Sequence, residues 1–321
     1  MKKVFISLIL LALILGFNSA RAQIAGEGLT ISPPIIELTL KPGDISNQTI
    51  KISNPTKSTV EIYPASMNFH ASGETGEPAF SAANDEESKF ALAKWIKFNQ
   101  TKLALTPEQV VEFNYQIEVP NGAEPGGHYG VVFFATEPPK ADSKTNQVSI
   151  ASMIGSLILV KVPGNIIEKG LIEEFSTNNF YFNPPVNFTT RVSNLGNVHF
   201  KPKGKITIKD WFGNNKENLT VNEAKGNVLP DSIRKFENKW SADKWVFGRF
   251  SASLSLVYGE SEKTLDSKIT FWIIPWWLII ALIVLLILII ILIIWFCCRR
   301  RRRKNRVEPI SGLDQRRPIL R

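Results

Sequence analysis

Thr49-Ile50-Lys51-Ile52-Ser53-Asn54 and Thr189-Thr190-Arg191-Val192-Ser193-Asn194 decide the fold. Apolar residues recur at every second position, the period of a strand with one buried face. Both segments end in Ser-Asn, whose short polar side chains favour a turn. Each has a proline-containing turn upstream, Lys41-Pro42-Gly43 in one case and Asn183-Pro184-Pro185 in the other. Downstream, Leu105-Thr106-Pro107-Glu108 and Leu229-Pro230-Asp231-Ser232 each lead into a further alternating run, Val110–Val119 after the first. Gly127-His128-Tyr129-Gly130-Val131-Val132-Phe133-Phe134 and Gly248-Arg249-Phe250-Ser251-Ala252-Ser253-Leu254 then take the same place in the order. A feature order kept twice reads as a duplicated immunoglobulin-like module. The fold class expected is all-β: two tandem immunoglobulin-like β-sandwiches followed by a single transmembrane α-helix.

Working outward, Val148–Val162 reads as a long apolar strand that closes the edge beside Val131–Ala135 and ends the first module. Pro163-Gly164 starts the linker. A short helix is expected at Ser88–Lys97, where Phe90, Leu92 and Trp95 alternate ambiguously. The domains expected are a signal peptide at 1–22, a first sandwich at 23–163, a second at 164–271, a transmembrane helix at 272–298 and a basic tail at 299–321.

The two ends carry the charge. The chain of 321 residues has net charge +9; residues 1–22 hold three positive charges and residues 299–321 a net +8, which leaves the body at −2. That distribution excludes a soluble nucleic-acid-binding domain. Lys2 and Lys3, the apolar Val4–Phe17 and Ala20-Arg21-Ala22 form a secretory signal peptide with cleavage after Ala22. An uncleaved anchor is the alternative and would call for a longer apolar run. Residues 269–298 carry no charge over 30 positions. A helix needs about 20 such residues to cross ~30 Å of hydrocarbon. Trp272, Trp276 and Trp277 flank it on one side and Trp295 and Phe296 on the other, as interfacial anchors do. Arg299, Arg300, Arg301, Arg302, Arg303 and Lys304 follow at once, which puts the tail in the cytoplasm and the body outside. Ser267–Phe271 is not a sortase pentapeptide, so the helix itself is the anchor. Cys297 and Cys298 are the only cysteines; they read as small interfacial residues, with acylation the alternative.

Little in the chain points to catalysis, and the expectation is a protein that is not an enzyme and needs no cofactor or metal. His70, His128 and His199 lie in unrelated contexts without metal-ligand spacing. Gly126–Gly130 lacks the strand-then-helix context of a phosphate cradle and reads as a bend opening a strand. Asp85-Glu86-Glu87 reads as a solvated loop rather than a calcium site. The long polar stretch His70–Lys89 is a candidate functional loop. Trp211, Trp240 and Trp245 concentrate in the second module and are candidate binding residues, since exposed aromatics stack on sugars or anchor protein interfaces; core packing is the competing reading for Trp240 and Trp245.

The plan resembles the WxL-interacting protein family of bacterial cell surfaces. The likeness rests on Ile31-Ser32-Pro33-Pro34-Ile35-Ile36-Glu37-Leu38, Leu40-Lys41-Pro42-Gly43, Ile52-Ser53-Asn54-Pro55, Leu105-Thr106-Pro107-Glu108, Val119-Pro120 and Pro125-Gly126-Gly127-His128-Tyr129-Gly130. The resemblance implies a non-catalytic membrane-anchored surface protein that holds peptidoglycan through its first module and a secreted protein partner through its second. The alternative is a membrane-tethered, chaperone-like assembly factor that pairs edge strands with exported proteins.

Overall fold

A computed structural model describes residues 28–84, 89–138, 153–242 and 246–304. The signal-peptide reading, Asp85–Ser88 and Trp245 lie outside the described residues, as do 148–152 of the expected long strand. The chain divides into two compact units, Met1–Ser72 with Pro78–Ile167, and Gly73–Glu77 with Glu168–Arg321.

The first unit is a sandwich of two sheets. One has the order β1 (Thr30–Ser32), β3 (Ile45–Ser53), β8 (Val110–Glu118), β6 (Ile96–Phe98). The other runs β2 (Ile35–Thr39), β10 (Met153–Val162), β9 (Gly126–Ala135), β4 (Val60–Ser72), β5 (Glu77–Ser81), with β7 (Leu103–Leu105) also on β4. Ile50, Ile52, Phe113, Ile117, Val132, Phe134, Ile158 and Val160 meet between the sheets. Phe113 sets its edge on Phe134 with ring centroids 5.0 Å apart, a favoured aromatic geometry. Strand β9 is buried along its whole length. Its outward residues are covered as well: Phe80 stands on Phe133 at 4.8 Å, and Phe69 lies 5.7 Å from Tyr129. That double burial explains its unbroken apolar run.

The second unit repeats the scheme. One sheet is β11 (Gly170–Ser176), β13 (Val186–Asn194), β16 (Ser232–Trp240); the other is β12 (Phe180–Tyr181), β18 (Lys263–Ile273), β17 (Gly248–Tyr258), β14 (Lys203–Asp210), β15 (Asn215–Val221). The first short strand of the larger sheet is parallel to the last long one in both units, β2 to β10 and β12 to β18. Phe188, Phe250, Phe271, Trp240, Ile206 and Leu254 form the core.

The duplicated Ser-Asn corner does the same work twice. Asn54 and Asn194 are fully buried. The Asn54 amide donates to Ser58 O at 2.8 Å and Leu105 O at 3.0 Å, while its oxygen accepts from Thr56 N at 3.1 Å. The Asn194 amide donates to Val198 O at 2.8 Å and Val228 O at 2.9 Å, and its oxygen accepts from Gly196 N at 2.9 Å. The residues opposite them, Glu108 and Asp231, both adopt left-handed φ, 60° and 55°. Two strands and a turn are thereby locked by one side chain in each unit.

Three expectations change. The helix expected at Ser88–Lys97 is a single 3-10 turn, Ala93–Trp95, running straight into β6, because Ile96 and Phe98 continue a strand of period two. Strand β10 does pair with β9, Met153 facing Ala135, but β2 lies outside it and forms the edge. The segment expected as helix from 272 begins as strand: β18 runs to Ile273, and α1 spans Trp276–Lys304. Phe271 and Ile273 are buried and Trp272 is exposed, so the alternation of β18 persists into the charge-free run.

Candidate functional site

Strand β16 points Ser232, Arg234, Phe236, Asn238 and Trp240 to one side. Phe236 and Trp240 are buried in the core. Arg234 and Asn238 share their face, and polar groups at such positions are costly unless something satisfies them. They are tolerated because β16 and β15 are the edge strands of their sheets and the sandwich is open between them. A groove of about 510 Å³ lies there. One wall is Arg234–Lys239, the other Asn218–Thr220, and Asn222–Ala224 and Thr75 complete the lining.

The Asn238 amide crosses the groove to Thr220 O at 2.8 Å. Its carbonyl oxygen is buried and has no hydrogen-bond partner among the described residues. The Arg234 guanidinium donates to Asn227 O at 2.8 Å and lies 5.9 Å over the Phe236 ring. Burial pulls its pKa below the ordinary arginine value, yet it stays protonated at neutral pH. Among the described residues it has no carboxylate partner. Gly226 makes room for it: a Cβ there would sit 2.5 Å from the guanidinium carbon. Asn222, at φ 58°, folds this turn by donating to Gly226 O at 2.9 Å and accepting from Gly226 N at 2.7 Å. Lys235, next along, is matched by Glu237 at 2.7 Å, whose hydrogen bond raises the lysine pKa. The edge of β16 is already met at one point, where Lys235 N donates to Glu74 O at 2.8 Å; the groove therefore offers one half-buried cation, one acceptor and the remaining strand-edge positions.

Of the three tryptophans named from the sequence, the two that are described, Trp211 and Trp240, stand in different environments. Trp240 is buried, 5.5 Å from Phe250 and 6.3 Å from Phe271. Its assignment to binding is corrected: its ring is a core element, fixed by the inward period of β16. Trp211 is 67% exposed at the β14–β15 turn, stacked on Phe212 at 4.9 Å. Trp245 lies outside the described residues. The expected bend at Gly126–Gly130 is strand from its first residue. His128, which it carries, is buried, with its ring 4.4 Å from Trp95. Among the described residues no group of three or more His, Cys, Asp and Glu side chains is placed to hold a metal ion.

Helix α1 is long and apolar enough to cross a membrane: an 18-residue window within Trp276–Arg301 has mean hydropathy 3.8 and none of its residues is buried. Trp276 and Trp295 are separated by ~29 Å along the axis at ~1.5 Å per residue, which matches ~30 Å of hydrocarbon. Arg299 lies over the Trp295 ring at 5.0 Å and Arg300 over Phe296 at 5.1 Å. The side chains of Arg302, Arg303 and Lys304 lie outside the described residues.

Known proteins share this architecture at a distance. The solved class 5 fimbriae chaperone CfaA aligns over 77% of this chain and 100% of its own, with 16% identity and a TM-score of 0.37. The E. coli chaperone DraB aligns over 75% of this chain and 98% of its own, at 10% identity and 0.33. The CsuC–CsuE chaperone–tip adhesion subunit pre-assembly complex of Acinetobacter baumannii gives a chain covered at 97%, over 75% of this one, at 12% and 0.34. At these scores the likeness goes no further than β-sandwich architecture. No family model matches the chain, and no curated protein does.

The groove escaped the reading of the sequence because it is made by a strand from each sheet. Its one visible sign was polar Arg234 and Asn238 on the inward period of a strand that otherwise carries Phe236 and Trp240.

Proposed function

We propose that the protein is a non-catalytic, membrane-anchored surface binder that takes an extended, carboxylate-bearing segment of an exported protein partner in the β15–β16 groove. The observation that carries this is the Arg234 guanidinium, half-buried in the groove between β15 and β16 and without a carboxylate partner among the described residues. A strand edge offers main-chain donors and acceptors at the ~3.4 Å residue spacing of another polypeptide, the basis of β-strand addition. A carboxylate on that segment satisfies Arg234 through charge-assisted hydrogen bonds. A sugar has no matching main chain, and the exposed aromatic pair Trp211–Phe212 on which one could stack lies outside this groove. Helix α1 holds the body at the membrane, with the body outside and the basic tail inside. A receptor that keeps its partner and an assembly factor that passes it on use the same edge; they differ in dissociation rate.

The test is a library of extended eight- to ten-residue peptides, with and without Asp or Glu, screened against the full chain in nanodiscs. Carboxylate-bearing peptides bind, and Arg234→Ala weakens them ~10–100-fold, as expected for a hydrogen bond to a charged group of ~1.5–3 kcal/mol. Binding that ignores the carboxylate and survives Arg234→Ala overturns the assignment.

A further inference from the structure

The exposed aromatics of the second unit are not scattered. Trp211, Phe212, Phe182, Phe247, Trp272 and Phe180 are between 40% and 76% exposed. Register places all six at one end of the unit. Phe180 pairs with Trp272 and Tyr181 with Ile273; Phe182 follows. Gly248 pairs with Ile273, so Phe247 precedes that level. Asp210 pairs with Phe250, which pairs with Phe271, so Trp211 and Phe212 turn over at the same level on a hairpin two strands away. Among the described residues of the second sandwich, leaving α1 aside, the other exposed large hydrophobics, Leu171, Leu195 and Val257, are aliphatic and lie elsewhere on it. Phe180 and Phe182 stand edge to face at 4.8 Å, and Phe247 meets Trp277 of α1 at 6.4 Å.

This is the end from which α1 departs. Only Ile274 and Pro275 separate β18 from the helix, and they are held: Ile274 N donates to Tyr181 O at 2.9 Å and Leu278 N to Pro275 O at 3.0 Å. Four residue steps from Trp276 back to Trp272 reach at most ~14 Å. Trp276 marks the edge of the hydrocarbon in the reading of α1 as a membrane span, so Trp272 is confined to the headgroup layer or just above it. Beside it, Arg249 is its cross-strand neighbour, and Lys268 joins Arg249 in lining a shallow hollow of about 260 Å³ next to Trp211. Neither cation has a carboxylate partner among the described residues.

We propose that this end of the second unit is a lipid-binding surface: its aromatic rim sits in the headgroup layer of the membrane that α1 crosses, and Arg249 and Lys268 meet lipid phosphates. The unit then stands on the bilayer at several points. Large amphipathic rings favour that layer, and cations gain about 1 kcal/mol each beside an anionic leaflet. The proposal rests on α1 spanning the membrane and is independent of what the β15–β16 groove binds.

The test uses the full chain labelled with 5-fluorotryptophan in nanodiscs of phosphatidylcholine and phosphatidylglycerol. Its eight tryptophan resonances are assigned by single Trp→Phe substitutions. A nitroxide on the lipid headgroup and, separately, a water-soluble gadolinium chelate report which phase each ring faces. Trp211 and Trp272 are expected to lose most of their intensity to the lipid nitroxide and little to the chelate, despite the exposure of both rings. If Trp276 and Trp277 respond to the lipid nitroxide while Trp211 is bleached by the chelate, the rim is free of the membrane and the proposal fails with the anchor intact. A rim shielded from the chelate and silent to the lipid nitroxide is covered by another copy of the chain, which also overturns it. If Trp276 and Trp277 themselves ignore the lipid nitroxide, α1 is not in the bilayer and both readings fall.

Discussion

Single residues show where the sandwich is under tension. Tyr115 is almost fully buried, its hydroxyl has no hydrogen-bond partner among the described residues, and burial drives its pKa well above the ordinary phenol value. An orphaned buried hydroxyl costs about 1–3 kcal/mol. Tyr115→Phe removes the hydroxyl and keeps the ring, so it is expected to raise the unfolding midpoint in thermal or urea melts; a fall would mean that the hydroxyl has a partner that matters. His128 has Nε2 2.9 Å from Glu124 O and Nδ1 3.3 Å from Ala91 O. Burial lowers its pKa, against the smaller raising effect of those carbonyls. The folded chain therefore refuses a proton that the unfolded chain accepts near pH ~6.5. Stability is complete above that value and declines as pH falls below it toward the folded pKa. His128→Gln keeps a donor for Glu124 O without the titration, so its melting temperature should fall less between pH 7 and pH 5 than that of the parent chain.

At the scale of elements, the paired asparagine corners make the strongest claim. Removing the Asn194 amide leaves two carbonyls and one N–H without their partner in a fully buried place; removing that of Asn54 does the same to buried Leu105 O and to Ser58 O and Thr56 N nearer the surface. Asn54→Ala and Asn194→Ala are each expected to cost ~2–4 kcal/mol by urea unfolding, while Asn→Ala at exposed Asn218 stays within ~0.5 kcal/mol. These corners were legible in the residues, because Ser-Asn after an alternating strand is local chemistry. The order of the repeat was legible for the same reason. The end of β18 was not: once charge vanishes from the sequence, a strand with an apolar outward residue such as Trp272 looks like the start of a membrane helix. The alternation of Thr270, Phe271, Trp272 and Ile273 was the only mark of it. The groove and the aromatic rim were hidden for a deeper reason. Both depend on which strands become neighbours, Arg234 facing β15 and Trp211 level with Ile273, and pairing of that kind is a property of the sheet rather than of any segment. Trp240 shows the converse: a residue type suited to binding is claimed by the core when its strand period points inward.

At the scale of the whole molecule, the separation of charge from bulk sets how the chain is held. The body is nearly neutral, and the C-terminal 23 residues carry a net +8. Two forces could keep such a chain on a membrane, and salt separates them. Attraction of the basic run to anionic lipid is worth about 1 kcal/mol per charge and fades as the screening length shrinks to ~3 Å at 1 M salt. Burial of an apolar helix does not fade with salt. The full chain should therefore stay with membrane pellets after washing in 1 M salt. A variant with Arg299, Arg300, Arg301, Arg302 and Arg303 all changed to Gln should stay there too, because those residues select direction rather than adhesion. Its tail should become accessible to protease added outside in a fraction of molecules, where the parent's tail is protected. Leu286→Arg together with Ile287→Arg puts two charges at the middle of α1, each costing ~2.5–3.5 kcal/mol to insert, and should release the chain into the wash. Release of the parent chain by salt alone would show that charge, not α1, is the anchor, and the membrane role of the aromatic rim would fall with it.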